Sequence, residues 1–166
     1  MKCFQTVASV AFLALCLQVV SAEVVNVKKC PGENDCTINE VTITPCPEAA
    51  EGNICNLHRN KNVSLSFDFT PKFNAENLIA EVVWTRQLFD TPFMGMDSAA
   101  CNYTTCPIHS GQRQTYTYQL EISKRYPPKQ YDVKWMLRDQ YYKSCCFIVP
   151  INIVAGKAKT KEAETN

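Results

Sequence analysis

The sequence predicts an all-β protein, an antiparallel β-sandwich, and three observations carry that prediction. About seven short segments rich in β-branched and aromatic residues recur at regular spacing along the chain. The connections between them are rich in Pro and Asn. No segment of useful length shows the 3.6-residue apolar repeat of an amphipathic helix. Short strands in series, joined by tight turns, pack as two layers; a small closed barrel is the alternative.

The elements follow in order. Residues 37–44, TINEVTIT, alternate and are β-branched, which reads as a strand. Pro45 and Pro47 stop it, because neither can donate a ladder hydrogen bond. Residues 62–69 give the clearest alternation, with Val63, Leu65, Phe67 and Phe69 facing in and Asn62, Ser64, Ser66 and Asp68 facing water. Residues 78–88 form a further strand carrying Trp84. The segment 89–96 is turn-rich yet carries Phe89, Phe93, Met94 and Met96, an unusual apolar load for a loop. Residues 114–122 alternate, with Tyr116, Tyr118 and Leu120 on one face. Residues 131–154 read as a hairpin turning at 139–144. Its first strand sets Val133, Trp135 and Leu137 on one side, and its second, 145–154, is so continuously apolar that burial on both faces is expected. Adjacent strand residues face opposite ways, so Cys145 and Cys146 need separate partners.

The N-terminus reads as a targeting segment. Lys2 precedes a run, 7–20, that is apolar apart from Ser9 and Gln18, and Val20-Ser21-Ala22 supplies the small residues of a cleavage site. The run is too short to span a bilayer. The expected organisation is therefore a signal peptide over 1–22, one β-sandwich domain over 23–155, and a flexible polar tail over 156–166. With Lys2 removed, the basic and acidic residues balance, and no basic cluster stands out. That argues against nucleic acid or electrostatic membrane docking.

Of the ten cysteines, Cys3 and Cys16 leave with the signal. An even set remains: Cys30, Cys36, Cys46, Cys55, Cys101, Cys106, Cys145 and Cys146. Behind a secretory signal this implies a full disulfide framework in an oxidising compartment. The spacings repeat no CxxC pair, and neither His58 nor His109 lies near a cysteine pair, so zinc is not expected. No GxSxG, HExxH or glycine-rich phosphate loop is present, Asp68 and Asp139 fall at exposed or turn positions without a carboxylate partner, and an enzyme is not expected. Asn62-Val63-Ser64 and Asn102-Tyr103-Thr104 are sequons, with both asparagines at positions open to water.

Five pieces in order along the chain carry a resemblance: EVTITPCP at 40–47, CPI at 106–108, RYP at 125–127, VKW at 133–135 and CFIVPINIV from Cys146. With the cysteine frame, the sequence resembles the MD-2-related lipid-recognition family, and within it the Niemann-Pick type C2 proteins and their arthropod relatives. The resemblance implies an immunoglobulin-like sandwich whose sheets splay around an apolar cavity. It implies the disulfides Cys30–Cys146, Cys46–Cys55 and Cys101–Cys106. Cys36 and Cys145 are additional to the vertebrate pattern and are left to each other, with exchange of Cys30 and Cys36 between the vicinal pair open. By the same resemblance Phe93 falls at the cavity entrance, Ile122 and Tyr126 on the opposite lip, and Trp135 in the sheet wall. Met94 and Met96 replace the proline-rich vertebrate loop, and flexible thioethers suit a pocket that adapts to several ligands.

The expected function is a secreted carrier, extracellular or in the lysosomal lumen. It would hold a sterol or another apolar lipid between its sheets and transfer it, needing no cofactor and no metal. The apolar body enters and the head stays near Phe93 and Tyr126, because few polar groups line the pocket. A membrane lipid-transfer protein is a candidate partner, nucleic acid is not, and the chain is expected to act as a monomer. The alternative is an extracellular interaction, co-receptor or chemical-signal-binding protein of the same fold, working through its surface around a solid core.

Overall fold

A computed structural model describes residues 23–32, 34–86, 89–93 and 95–155. The expected signal peptide and tail, and Met94, lie outside the described residues. In chain order the strands are β1 (Glu23–Val24), β2 (Lys28–Lys29), β3 (Cys36–Thr44), β4 (Cys55–His58), β5 (Asn62–Pro71), β6 (Ile79–Trp84), β7 (Thr91–Pro92), β8 (Gln114–Glu121), β9 (Lys129–Arg138) and β10 (Ser144–Val154). Two short 3-10 turns, Pro47–Glu51 and Ala100–Asn102, complete the described elements.

The strands form two sheets. One has the order β1-β3-β5-β8; the other has β2-β10-β9-β6-β7, with β4 also pairing to β10. Period-two burial drives the assembly. Along β5 every second residue from Val63 to Pro71 is buried, and β9 buries Tyr131, Val133, Trp135 and Leu137 in the same rhythm. The inner faces meet over an aromatic seam, where Phe67 of one sheet packs edge-on against Phe147 of the other with ring centroids 4.9 Å apart. The fold is the expected all-β sandwich.

Several details differ from the sequence reading. The strand β10 is covered on one face only: Val149, Ile151 and Ile153 are buried, while Ile148, Pro150, Asn152 and Val154 are half-buried. Its outward apolar residues are β-branched or imino residues that suit a pleated, half-buried surface, which is why composition suggested two covered faces. The strand β4 was not assigned from the sequence; it runs parallel to β10, pairing Cys55 with Ile151 and His58 with Val154. Asp139 is buried at 5 % exposure. Its Oδ1 accepts the N–H groups of Tyr141 at 2.8 Å and Lys143 at 2.9 Å, which shapes the β9–β10 turn.

Four disulfides frame the sandwich: Cys30–Cys146, Cys36–Cys145, Cys46–Cys55 and Cys101–Cys106. The vicinal cysteines diverge as strand geometry demands. Cys146 reaches the segment after β2, whereas Cys145 crosses the interior to Cys36 at the start of β3, tying one sheet to the other. Cys46 and Cys55 clamp the crossover from β3 to β4 along one lateral edge. A full set of disulfides fits an oxidising compartment.

Titration of thiols in denaturant should find none free among Cys30–Cys146, Cys36–Cys145, Cys46–Cys55 and Cys101–Cys106. In the chain-entropy model, cross-links closing loops of the order of a hundred residues stabilise by about 5 kcal/mol and a five-residue loop by about 2 kcal/mol. Replacing Cys30, Cys36, Cys145 and Cys146 together by Ser, which opens the long loop that the two nested bridges close, should therefore cost more, in guanidinium unfolding, than replacing Cys101 and Cys106. Equal costs would show that the inter-sheet tie is not set by loop closure.

Candidate lipid-binding cavity and its gate

The chemistry of this chain lies between the sheets. Ile43, Val63, Leu65 and Leu120 from one sheet face Leu57, Val82, Val133, Trp135, Val149 and Ile151 from the other, with Phe93 at the lip, around a cavity of about 20 Å³. All of these side chains are hydrocarbon except for the indole N–H of Trp135. That volume is close to the minimum for one water molecule and far below the roughly 300–1,000 Å³ of small-molecule sites. The sheets therefore meet rather than splay, because apolar side chains from both faces interdigitate across the gap. Admitting a lipid requires them to part. Roomier clefts of about 390 and 440 Å³ lie elsewhere, around Asn74, Glu76 and Asp139 and around Lys28, Lys29 and Lys72. Their charged and amide linings suit water better than hydrocarbon.

One corner of the sandwich is closed by aromatic rings alone. Pairing of β7 with β6 sets Pro92 opposite Val83, and the Phe93 N–H donates to the Val82 carbonyl at 2.8 Å. The Phe93 ring lies 4.9 Å from Tyr126 and 5.4 Å from Trp84, which in turn meets Tyr126 at 5.2 Å and Tyr131 at 5.0 Å. Tyr126 rides on a loop secured by the Tyr131 hydroxyl, which donates to the Pro127 carbonyl at 2.8 Å. Outside this cluster an open groove of about 390 Å³ runs past Gly95, Gln119, Leu120, Glu121, Ser123 and Tyr126. Leu120 lines both the groove and the cavity. Phe93 lines the cavity and Tyr126 the groove, and their rings are in contact.

The loop that carries Phe93 is anchored downstream by Asp97. Its carboxylate accepts from the Ala99 N–H at 2.9 Å, the Asn102 amide at 2.9 Å and the Tyr103 hydroxyl at 3.1 Å, and its own N–H donates to the Tyr118 hydroxyl at 3.1 Å. The Ala99 N–H foremost, then the Asn102 amide and the Tyr103 hydroxyl, hold the Asp97 carboxyl below the ordinary aspartate value.

Residues 24–153 match the ML domain family. The chain belongs to that family. An MD-2-related lipid-recognition protein of Manduca sexta is 35% identical over 121 residues, covering 71% of this chain and 76% of the relative. An ecdysteroid-regulated 16 kDa protein of the same species is 31% identical over 144 residues, covering 86% and 97%. A Niemann-Pick type C2 protein from the Japanese carpenter ant shares the fold at a TM-score of 0.69 and 19% identity, over 78% of this chain and 99% of that one.

Within this ML domain the sequence-expected residues separate. Phe93 packs against Tyr126, and Phe93 and Trp135 both line the cavity. Ile122 is fully buried but stands outside the cavity lining. Its N–H and carbonyl bond to the backbone of Lys61 and Asn60, which makes it a core peg beneath the Tyr126 loop. Met96 is half-buried against the core, and Met94 is not described. Phe93 is only 6 % exposed; a partly buried lip residue was expected, and the neighbouring rings of Trp84 and Tyr126 account for the difference. Sequence reasoning missed Trp84 and Tyr131 as gate members, although each sits one strand repeat from a core position. Asn62 and Asn102 are both exposed, with the Asn102 amide held by Asp97.

Because Phe93 is buried, Phe93→Ala should lower the free energy of unfolding by about 3 kcal/mol in guanidinium titration. A loss below about 1 kcal/mol would mean that the gate loop contributes nothing to the fold. The Asp97 anchor gives a separate test. Its folded pKa is depressed, so the contribution is present above the ordinary value of 3.8 and is lost as pH falls below it through the folded pKa. The Ala99 amide resonance should titrate with a midpoint below 3.8; a midpoint at or above that value would contradict the anchor.

Proposed function

We propose that this chain is a secreted carrier that takes the apolar body of a lipid between its two sheets, admitting it at the Phe93–Tyr126 corner. The observation that carries this reading is an apolar inter-sheet seam whose gated corner is held by rings and not by a covalent bond. Opening there separates aromatic contacts worth about 0.5–1.5 kcal/mol each beyond their area, and a hydrocarbon body restores them. The head group rests in the groove beside Gln119, Glu121 and Ser123, where water keeps it solvated. Sterol or fatty-acyl chemistry both suit such a slot, and transfer to a membrane lipid-transfer protein is consistent with a gate that opens sideways. The 1–22 leader, the glycan acceptors Asn62 and Asn102 and action as a monomer belong to the same reading.

A second reading, a surface-acting interaction or co-receptor domain, draws on a specific observation. The interior cavity is only about 20 Å³, while Tyr141 and Tyr142 stand 76 % and 78 % exposed at the β9–β10 tip.

One experiment separates the two. Protein purified from a eukaryotic secretory host should release lipid on organic extraction, identified by mass spectrometry, and the stripped protein should bind a fluorescent sterol or fatty acid. Tyr126→Ala should weaken that binding about tenfold, the loss expected from roughly 1–2 kcal/mol of ring contact. A folded protein that releases no lipid and binds neither probe would leave the surface-acting reading.

A further inference from the structure

Polar atoms stranded inside an apolar core are costly; one such atom lies in the wall of this cavity and a second on a ring packed against that wall. The Trp135 indole Nε1 and the Tyr116 hydroxyl are buried without a hydrogen-bond partner among the described residues. Their side chains are 1 % and 0 % exposed. The two rings pack edge-on with centroids 6.0 Å apart, and Trp135 lines the cavity. A phenylalanine at the Tyr116 position would fill nearly the same space without stranding a hydroxyl. Buried polar groups are almost always paired, so an unpaired donor in the wall of a binding slot, with an unpaired hydroxyl on the ring packed against it, points to a partner brought by the ligand.

The chemistry of the two groups restricts that partner. An indole N–H can only donate, and a phenol can donate or accept. Both therefore accommodate an acceptor oxygen. Burial raises the Tyr116 phenol pKa, so it stays a neutral hydroxyl. No cationic side chain lines the cavity, and a buried carboxylate without a counter-charge is strongly disfavoured. We propose that the ligand carries a second, neutral oxygen at its buried end, a ketone or hydroxyl that accepts from Trp135 Nε1 with the Tyr116 hydroxyl alongside. This inference rests on the carrier reading and narrows its ligand to oxygenated lipids. Plain hydrocarbon tails leave both donors unpaired, and a site built to bond an oxygen discriminates against ligands that lack it.

The test compares octadecanoic acid with its 17-oxo derivative, a matched pair differing by one oxygen at the end remote from the carboxylate. Binding is read by displacement of a fluorescent fatty acid from native protein, Tyr116→Phe and Trp135→Phe. The native protein should bind the oxo acid about tenfold more tightly. Both variants should lose that preference, and Tyr116→Phe should bind the plain acid at least as well as native protein does. Tyr116→Phe removes only an unpaired hydroxyl and should keep its melting temperature, so it remains informative if Trp135→Phe folds poorly. Plain acid bound equally or more tightly by native protein overturns the inference and leaves the carrier reading intact. A preference that persists in both variants also overturns it, by placing the oxygen elsewhere. If neither acid displaces the probe or the probe itself does not bind, the carrier reading fails and takes the inference with it.

Discussion

The two sheets of this sandwich share no strand, so what joins them decides what the molecule can do. Each sheet is internally satisfied by its own ladder, and between them lies mainly a packed apolar interface. That interface is non-directional and tolerates sliding and parting far better than a ladder does. Covalent ties then determine where parting occurs. Cys36–Cys145 fixes β3 to β10 at the end where the β9–β10 hairpin turns, and Cys46–Cys55 closes the β3–β4 edge. The corner formed by β7, the start of the Tyr126 loop and the edge strand β8 carries no such bond. The proposed opening at that corner agrees with where the cysteines fall.

The same apolar surface serves two purposes that pull against each other. Buried against itself it holds the fold together, at about 25 cal/mol per Å²; exposed by opening it would serve as the proposed lipid site. A wide permanent cavity would forfeit dispersion contacts along its walls. The observed compromise is a nearly closed seam with a small remnant cavity, stabilised by cross-links that do not depend on packing. Phe93 sits at the centre of this compromise, because a ring that completes the core is also a ring that must move. Its neighbours Trp84 and Tyr126 present faces and edges that an alkyl chain or a sterol plane can replace without loss of contact.

Much of this was legible in the sequence, for physical reasons that also explain the misses. Alternation over 62–69 and 131–138 located β5 and β9, since burial on one face leaves a period of two in any strand long enough to display it. Strands β1, β2, β4 and β7 are two to four residues long, too short to show a period, and their pairing is dictated by partners elsewhere in the chain. The vicinal cysteines announced divergent partners, but which partner each took depended on sheet order, which period cannot reveal. At the site, the resemblance supplied Phe93, Tyr126 and Trp135. It did not supply the depth to which Phe93 is buried, because burial of a loop residue is set by the rings around it. Trp84 and Tyr131 read as ordinary strand aromatics until the fold set them 5.0 Å apart.

Specificity in such a protein has few places to reside. Hydrocarbon walls discriminate weakly, since one methylene more or less changes binding by about 0.8 kcal/mol, and a flexible gate admits many shapes. Hydrogen-bonding groups discriminate sharply because an unpaired partner inside an apolar wall is penalised on whichever side it lies. A carrier that must distinguish among lipids of similar length therefore gains most from polar atoms placed deep within the seam. Such atoms weaken the closed state, in which they go unpaired, and strengthen the state that holds a complementary ligand. Trp135 occupies that position in the wall of the remnant cavity, with the Tyr116 ring packed edge-on against it. Their cost to the closed fold and their value to recognition are two readings of one unsatisfied hydrogen bond.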